Sequence, residues 1–325
     1  MPPLRPAEDA PDPRIGTTVA GYRIEGLLGH GATGSVYRAV RIALDLPVAL
    51  KLLRPEASDS GFRARFEQEA RCAAAIRHPG VVQVYDAGMC EGCHYLAVEL
   101  VEGSTLSQVL ADRLVLPPDE AVRVMVRVLD ALAALADAGL VHRDVKPDNI
   151  MIGRDGQVKL IDLGLARSRW SDVSDGRIVG TPAYMPPEQW LGSAIDHRAD
   201  QFGLGVTGYL AMSGQRPWAG ASPLALLEAM RAGRPLPLHR AAAGVGEALS
   251  AVLMRMLAFE AALRWPDHRS CAAALVQNAG TSRTPRPGRL VTVPVQNPET
   301  TRITRRIQRT PAPYATPRSA LGAPA

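Results

Sequence analysis

The sequence predicts an α+β protein: a smaller, β-rich N-terminal part carrying one helix, followed by a larger, mainly helical C-terminal part. Three observations carry that expectation. From Tyr22 to about residue 102, apolar residues mostly alternate with period two in short runs, interrupted by one helical stretch at about 61–77. From about 103 to 278 the apolar period lengthens to that of helices, most clearly over 119–138. Outside these limits the periodicity is lost. Residues 1–21 read as a leader rich in proline and charge, and 279–325 as a flexible tail rich in Thr, Pro and Arg.

Composition narrows the class. Hydrophobic residues make up 46% and charged residues 21% of the 325, which is the balance of a soluble globular chain. The four cysteines, Cys72, Cys90, Cys93 and Cys271, are too few and too scattered for a disulfide framework, so a reducing cytoplasm is expected. The opening MPPLRPAEDAPDP has no apolar core of a signal peptide, and no run of about 18 uncharged apolar residues predicts a membrane span. The net charge of +5 belongs to the tail: residues 279–325 carry +7 and the remainder −2. No nucleic-acid partner is therefore expected of the folded part, while the tail reads either as a solvated segment or as a docking arm for an anionic partner. Only three lysines occur, Lys51, Lys146 and Lys159, against 34 arginines. Where arginine is used so freely, a retained lysine points to a site that needs a compact charge.

The elements follow in order. Segment 28–40, LGHGATGSVYRAV, places Gly29, Gly31 and Gly34 in G-x-G-x-x-G spacing. The same spacing opens dinucleotide-binding helices, and it also fits an ordinary glycine hairpin. The strand-like run Ser35–Val40 that follows favours a flap folded over phosphates, where missing Cβ atoms admit the oxygens. In the strand Val48-Ala49-Leu50-Lys51-Leu52, Ala49 and Lys51 share one face and the other three residues share the opposite one. The helix at 61–77 sets Phe62, Phe66, Glu69, Ala73 and Ile76 on one stripe, while Glu67 falls off it. A carboxylate on an apolar stripe needs a partner, and Lys51 is the expected one for Glu69. Helix 119–138 opens on Asp119 and Glu120 and stops at Gly139. After it come His142-Arg143-Asp144-Val145-Lys146-Pro147-Asp148-Asn149 and then Asp162-Leu163-Gly164.

With these residues in place, the chain is identified as resembling the protein kinase superfamily, through its H-R-D-x-K-x-x-N catalytic loop and D-F-G motif. The resemblance extends over residues 22–278 and places it with the bacterial, eukaryotic-like serine/threonine kinases, to which Arg77–Val82 and the GTPAYMPPEQ stretch are most similar. It implies the two-lobed protein kinase fold, with a small β-rich N-lobe carrying one helix and a larger, mainly helical C-lobe. It also implies transfer of the ATP γ-phosphate to Ser or Thr hydroxyls of protein substrates, with magnesium or manganese, the chain itself being a substrate through a dimer. By resemblance, Asp144 orients the acceptor hydroxyl, Lys146 reaches the γ-phosphate, and Lys51 grips the α- and β-phosphates with Glu69 behind it. Asn149 and Asp162 would hold the metal. Leu28, Gly29, His30, Gly31, Ala32, Thr33, Gly34, Ser35 and Val36 would form the flap over the nucleotide. Val36, Ala49 and Met151 would sandwich adenine, with Val98 as gatekeeper and Glu99 to Val101 as the hinge. Leu163 departs from the usual phenylalanine but exchanges one apolar residue for another. Glu188, Asp200 and Arg264 would brace the fold, and Lys146 with Thr181 marks the Ser/Thr branch.

Other readings are weaker on the residues. A pseudokinase scaffold usually lacks one of Lys51, Asp144 and Asp162, and all three are present. A small-molecule phosphotransferase would not need the Pro187-Glu188 platform. Arg143 suggests a basic pocket wanting an anion, to be met by Asp175 or by phosphorylated Ser168, Ser171 or Ser174. The tail threonines, Thr281 to Thr316, are candidates for autophosphorylation or for an unmodified linker. Cys90-Glu91-Gly92-Cys93-His94 lacks a second C-x-x-C, so a plain hairpin is expected there rather than a zinc site.

Overall fold

The computed structural model describes residues 12–31, 34–53, 62–163 and 182–279, with the side chains of 62–65 excepted. The N-lobe is a six-stranded antiparallel sheet. Its strands are β1 (Thr18–Val19), β2 (Tyr22–His30), β3 (Gly34–Arg41), β4 (Leu46–Leu53), β5 (Val84–Cys90) and β6 (Cys93–Glu99), in the order β1-β2-β3-β4-β6-β5. Helix α1 (Phe62–Ala75) lies between β4 and β5 in sequence.

Strand alternation gives this sheet two faces with different tasks. One face buries Tyr22, Ile24, Tyr37, Ala39, Val48, Leu50, Leu52 and Ala97 as a core of its own. On the other face, Leu96 joins Phe66, Ala70 and Ala73 of α1, spaced four and three apart, in a core that runs on into the C-lobe. The register pairs Val36 with Lys51, Lys51 with Leu96, and Ala49 with Val98, so these residues share that second face. Gly34 makes the sheet possible at its end, because a Cβ there would stand 2.0 Å from the Leu52 carbonyl oxygen.

The C-lobe begins with β7 (Gly103–Thr105) and α2 (Leu106–Arg113). Thr105 Oγ1 accepts from Gln108 N while the Gln108 side chain accepts from Thr105 N, a reciprocal cap that fixes where α2 starts. Helix α3 (Pro118–Asp137) starts with proline in its first turn, followed by Asp119 and Glu120, where a negative charge suits the positive end of the helix dipole. Its buried stripe of Val124, Met125, Val128, Leu129, Leu132 and Leu135 forms the centre of the lobe. Strands β8 (Ile150–Gly153) and β9 (Val158–Leu160) join β7 in a three-stranded sheet ordered β7-β8-β9.

The remaining described helices are α4 (Pro187–Trp190), α5 (Arg198–Ser213), α6 (Pro223–Ala232), α7 (Leu238–Ala241), α8 (Glu247–Met256) and α9 (His268–Asn278). Helix α5 is buried along nearly its whole length. Gly203 allows it to approach the catalytic-loop segment, since a Cβ there would meet the Val145 carbonyl oxygen at 2.6 Å. Among the described residues, no helix is long and apolar enough to cross a membrane.

Candidate active site

The loop between α3 and β8 carries a dense polar network among the described residues. Asp200, in the first turn of α5, is buried and receives two adjacent backbone donors: His142 N at 2.9 Å and Arg143 N at 2.8 Å. Those bonds hold Arg143 at φ 62°, a left-handed conformation that a side chain adopts only when its surroundings enforce it. Burial raises the Asp200 carboxyl pKa, opposed by His142 and by the two backbone bonds. His142 completes the brace. Its Nδ1 accepts from Asp144 N at 3.3 Å, which leaves Nε2 to donate to Ile161 O at 3.2 Å.

Asp144 is oriented from both sides. Lys146 Nζ donates to Asp144 Oδ2 at 2.9 Å, and Asn149 Nδ2 donates to the same oxygen at 2.9 Å and to the Asp144 carbonyl at 2.7 Å. With its amide nitrogen so committed, Asn149 turns its side-chain oxygen elsewhere, as a hard metal ligand would. Asp162 stands one residue beyond Ile161, whose N–H donates to Asn149 O at 2.9 Å, so the two oxygen-bearing residues are tied by the backbone. Asp162 also adopts a positive φ of 58°. The donor set of one amide oxygen and one carboxylate fits a magnesium-type or manganese-type ion.

The N-lobe reaches this cluster through Lys51, whose Nζ donates to Asp162 Oδ1. The pair expected between Lys51 and Glu69 is not formed. Glu69 Oε1 instead lies 4.0 Å from Arg143 Nη1, and the lysine is taken by Asp162. The Lys51 side chain, only 11% exposed, has its ion-pair partner in Asp162, and the Glu69 carboxylate has the Arg143 guanidinium within reach.

Of the residues expected to face adenine, three lie on one face of the N-lobe sheet and Met151 lies in the small sheet. Ala49 and Val98 are direct cross-strand partners, Val36 is opposite Lys51, and Met151 lies in the middle strand of the small sheet, opposite Thr105 and Lys159. Val101 packs against the main core. In the glycine segment, Leu28 is exposed, Gly29 pairs with Val36 and His30 with Ser35, and His30 Nδ1 and Ser35 Oγ are hydrogen-bonded at 2.9 Å. Gly31 N donates to Gly34 O at 2.7 Å, closing the turn. Ala32 and Thr33 lie outside the described residues, as do Gly164, Ser168, Ser171, Val173, Ser174, Asp175, Gly180, Thr181 and the tail threonines.

Behind the site, Arg264 is fully buried and makes a two-pronged pair with Glu188, Nη1 to Oε1 at 2.7 Å and Nη2 to Oε2 at 2.8 Å. It also donates to the carbonyls of Ala258, Arg198 and Phe259. Lys159 was left without a role by sequence reasoning. Its Nζ donates to both carboxylate oxygens of Glu99, at 2.6 and 2.8 Å, and Gln83 N donates to Glu99 Oε2 at 3.3 Å. The connection between lobes is thus tied to β9 and to the segment before β5. The scarcity of lysine was the one available signal for it.

Comparison with known proteins identifies the family and the fold. The family described as "Protein kinase domain" matches residues 22–263. The serine/threonine-protein kinase PknL of Mycobacterium tuberculosis is 44% identical over 209 residues, covering 63% of this chain and 52% of that protein. The serine/threonine-protein kinase pkn2 of Myxococcus xanthus is 35% identical over 265 residues, covering 78% of this chain and 32% of that protein. The chain therefore spans about half the length, or less, of these curated relatives. Among solved structures, a variant of the Mycobacterium tuberculosis PknI kinase domain superposes with a TM-score of 0.68 at 32% identity, covering 82% of this chain and 98% of that one.

Proposed function

The chain belongs to the protein kinase family, and from that premise we propose that it is an ATP-dependent serine/threonine protein kinase of the bacterial branch, with its catalytic domain at 22–278. The observation that carries this reading is the doubly anchored carboxylate. Lys146 and Asn149 both donate to Oδ2 of Asp144, so its orientation is fixed before any substrate arrives.

In this reading Asp144 receives the proton of the acceptor hydroxyl as the phosphoryl group leaves ATP. Lys146, beside it, balances charge on the group in flight. Lys51 exchanges its bond to Asp162 for the α- and β-phosphates. Asn149 and Asp162 hold magnesium or manganese, and Val36, Ala49, Val98 and Met151 enclose the adenine ring, with the Glu99–Val101 backbone at its edge. Bound in this way, ATP and its divalent ion supply the phosphoryl group and neutralise its charge. The glycine segment from Leu28 to Val36 covers the phosphates. Substrates are proteins with Ser or Thr acceptors, this chain included through a second copy, and the setting is cytoplasmic without nucleic acid.

The full chain incubated with labelled ATP and Mg²⁺ or Mn²⁺, and with a generic protein substrate, should incorporate phosphate on Ser and Thr. Asp144→Asn keeps the shape of the loop but removes the proton acceptor, and should lower the rate about 10²- to 10⁴-fold. No incorporation by the wild-type chain would point to a binding scaffold instead. A rate unchanged by Asp144→Asn would remove Asp144 from the chemistry.

A further inference from the structure

The hairpin joining β5 and β6 holds a feature that phosphoryl transfer does not use. Its two-residue turn has Glu91 at φ 50° and Gly92 at φ 78°, both left-handed, as in the turn that matches the twist of a tight hairpin. Cys90 and Cys93 flank it and are direct cross-strand partners. Residues so paired project from the same face. Their Cα atoms in such a position stand about 4.5–5.5 Å apart, inside the ~4.4–6.8 Å window that a disulfide spans. Their Cβ atoms, about 4.5–5.5 Å apart in cross-strand pairs, need only a small approach to reach bonding distance.

The surroundings suit exchange chemistry. Both thiols are free and partly exposed, so an oxidant can reach them. On the opposite face of the hairpin, His94 is buried with its ring 5.4 Å from that of Phe66 of α1, which anchors the hairpin while its other face carries the sulfurs. Cys271 differs sharply: burial pushes its thiol up to about 12, so it stays unreactive. Among the described residues no group of three or more His, Cys, Asp or Glu is placed to hold a metal ion, which leaves the two sulfurs as a pair rather than part of a metal cage.

We propose that Cys90 and Cys93 form a redox-active dithiol that closes reversibly into a disulfide by exchange with a low-molecular-weight disulfide. One thiolate attacks the oxidant, releasing its first half as a thiol and leaving a mixed disulfide. The second cysteine then displaces the other half. Two protons and two electrons pass from the protein to the oxidant, one S–S bond forms, and one is broken. The site lies on a different face from the phosphoryl-transfer groups and does not depend on them.

The test uses the full chain, oxidised glutathione as probe, and a protease that cleaves after glutamate. Oxidation should remove two of the four thiols, and the fragments on either side of Glu91 should stay linked until reductant is added. Cys93→Ser should instead trap glutathione on Cys90. The wild-type measurement needs no variant, so a folding failure of Cys93→Ser does not affect it. Stable glutathione on wild-type Cys90 or Cys93, a link from either to Cys72 or to a second copy, or four surviving thiols would each overturn the proposal.

Discussion

Two arginine–glutamate pairs in this molecule differ in almost every physical respect. Arg264 and Glu188 meet inside the C-lobe through two parallel bonds of 2.7 and 2.8 Å, with the arginine side chain fully buried and its other donors on backbone carbonyls. Arg143 and Glu69 join the catalytic loop to α1 through one contact of 4.0 Å, with side chains 16% and 29% exposed. The first pair has the geometry of permanent scaffolding: desolvation is offset by satisfied bonds on every side. The second is long, single and partly wet, and so costs little to exchange. Within one site, then, the C-lobe half is fixed in place while the N-lobe half is held by replaceable contacts. That contrast explains why Lys51 and Glu69 both sit near the cluster without pairing to each other.

The contrast can be broken most severely at its rigid end. Arg264→Ala leaves a buried Glu188 carboxylate without its partner and should cost about 3–5 kcal/mol. Denaturant unfolding should show the midpoint collapse, with phosphate incorporation lost because the chain no longer folds.

A second test examines the same rigid region through pH. His268, at the start of α9, is buried with neither ring nitrogen hydrogen-bonded, and its pKa is lowered to about 4, first by burial and then by His197, with Arg269 acting the same way and Asp267 and Asp196 opposing. The folded state therefore prefers the neutral ring. Stability is full above about 6.5 and falls as pH drops toward 4, by on the order of 1 kcal/mol per pH unit. Asp200 works in the opposite direction, because its raised pKa favours the protonated folded form at low pH. Urea midpoints at pH 7 and pH 5 should separate for the wild-type chain and converge for His268→Leu; equal separation in both would assign the acid sensitivity elsewhere.

The smallest stability effect should come from the exchangeable pair. Glu69→Gln should change folding stability by less than about 1 kcal/mol, while raising KM for ATP or lowering kcat if Glu69 moves to Lys51 during turnover. Unchanged kinetics would show that Glu69 acts only where the structure places it.

Much of this was legible in the sequence because it rests on local spacing. The two faces of β4 follow from strict alternation, and the order His142 to Asn149 already contains the anchors of Asp144. The partner of Lys51 was not legible. Glu69 was read as a carboxylate on an apolar stripe that needs a cation, but which cation stands nearest depends on relative lobe placement, and no local pattern encodes that. Lys159 was missed for a related reason, since its partner Glu99 is 60 residues away. His268 gave no signal at all, because a histidine at a helix start looks the same whether its ring is wet or buried.

Strand β4 carries a consequence for how this sequence can change over evolutionary time. Its odd-numbered residues 49 and 51 lie on the side where Lys51 meets Asp162, and its even-numbered residues 48, 50 and 52 fill a separate apolar layer. Substitutions within either set are graded in cost, whereas gain or loss of one residue would exchange the sets outright, driving an ammonium into the hydrocarbon layer and turning three aliphatic groups toward Asp162. This segment should therefore accept changes of letter but never of frame.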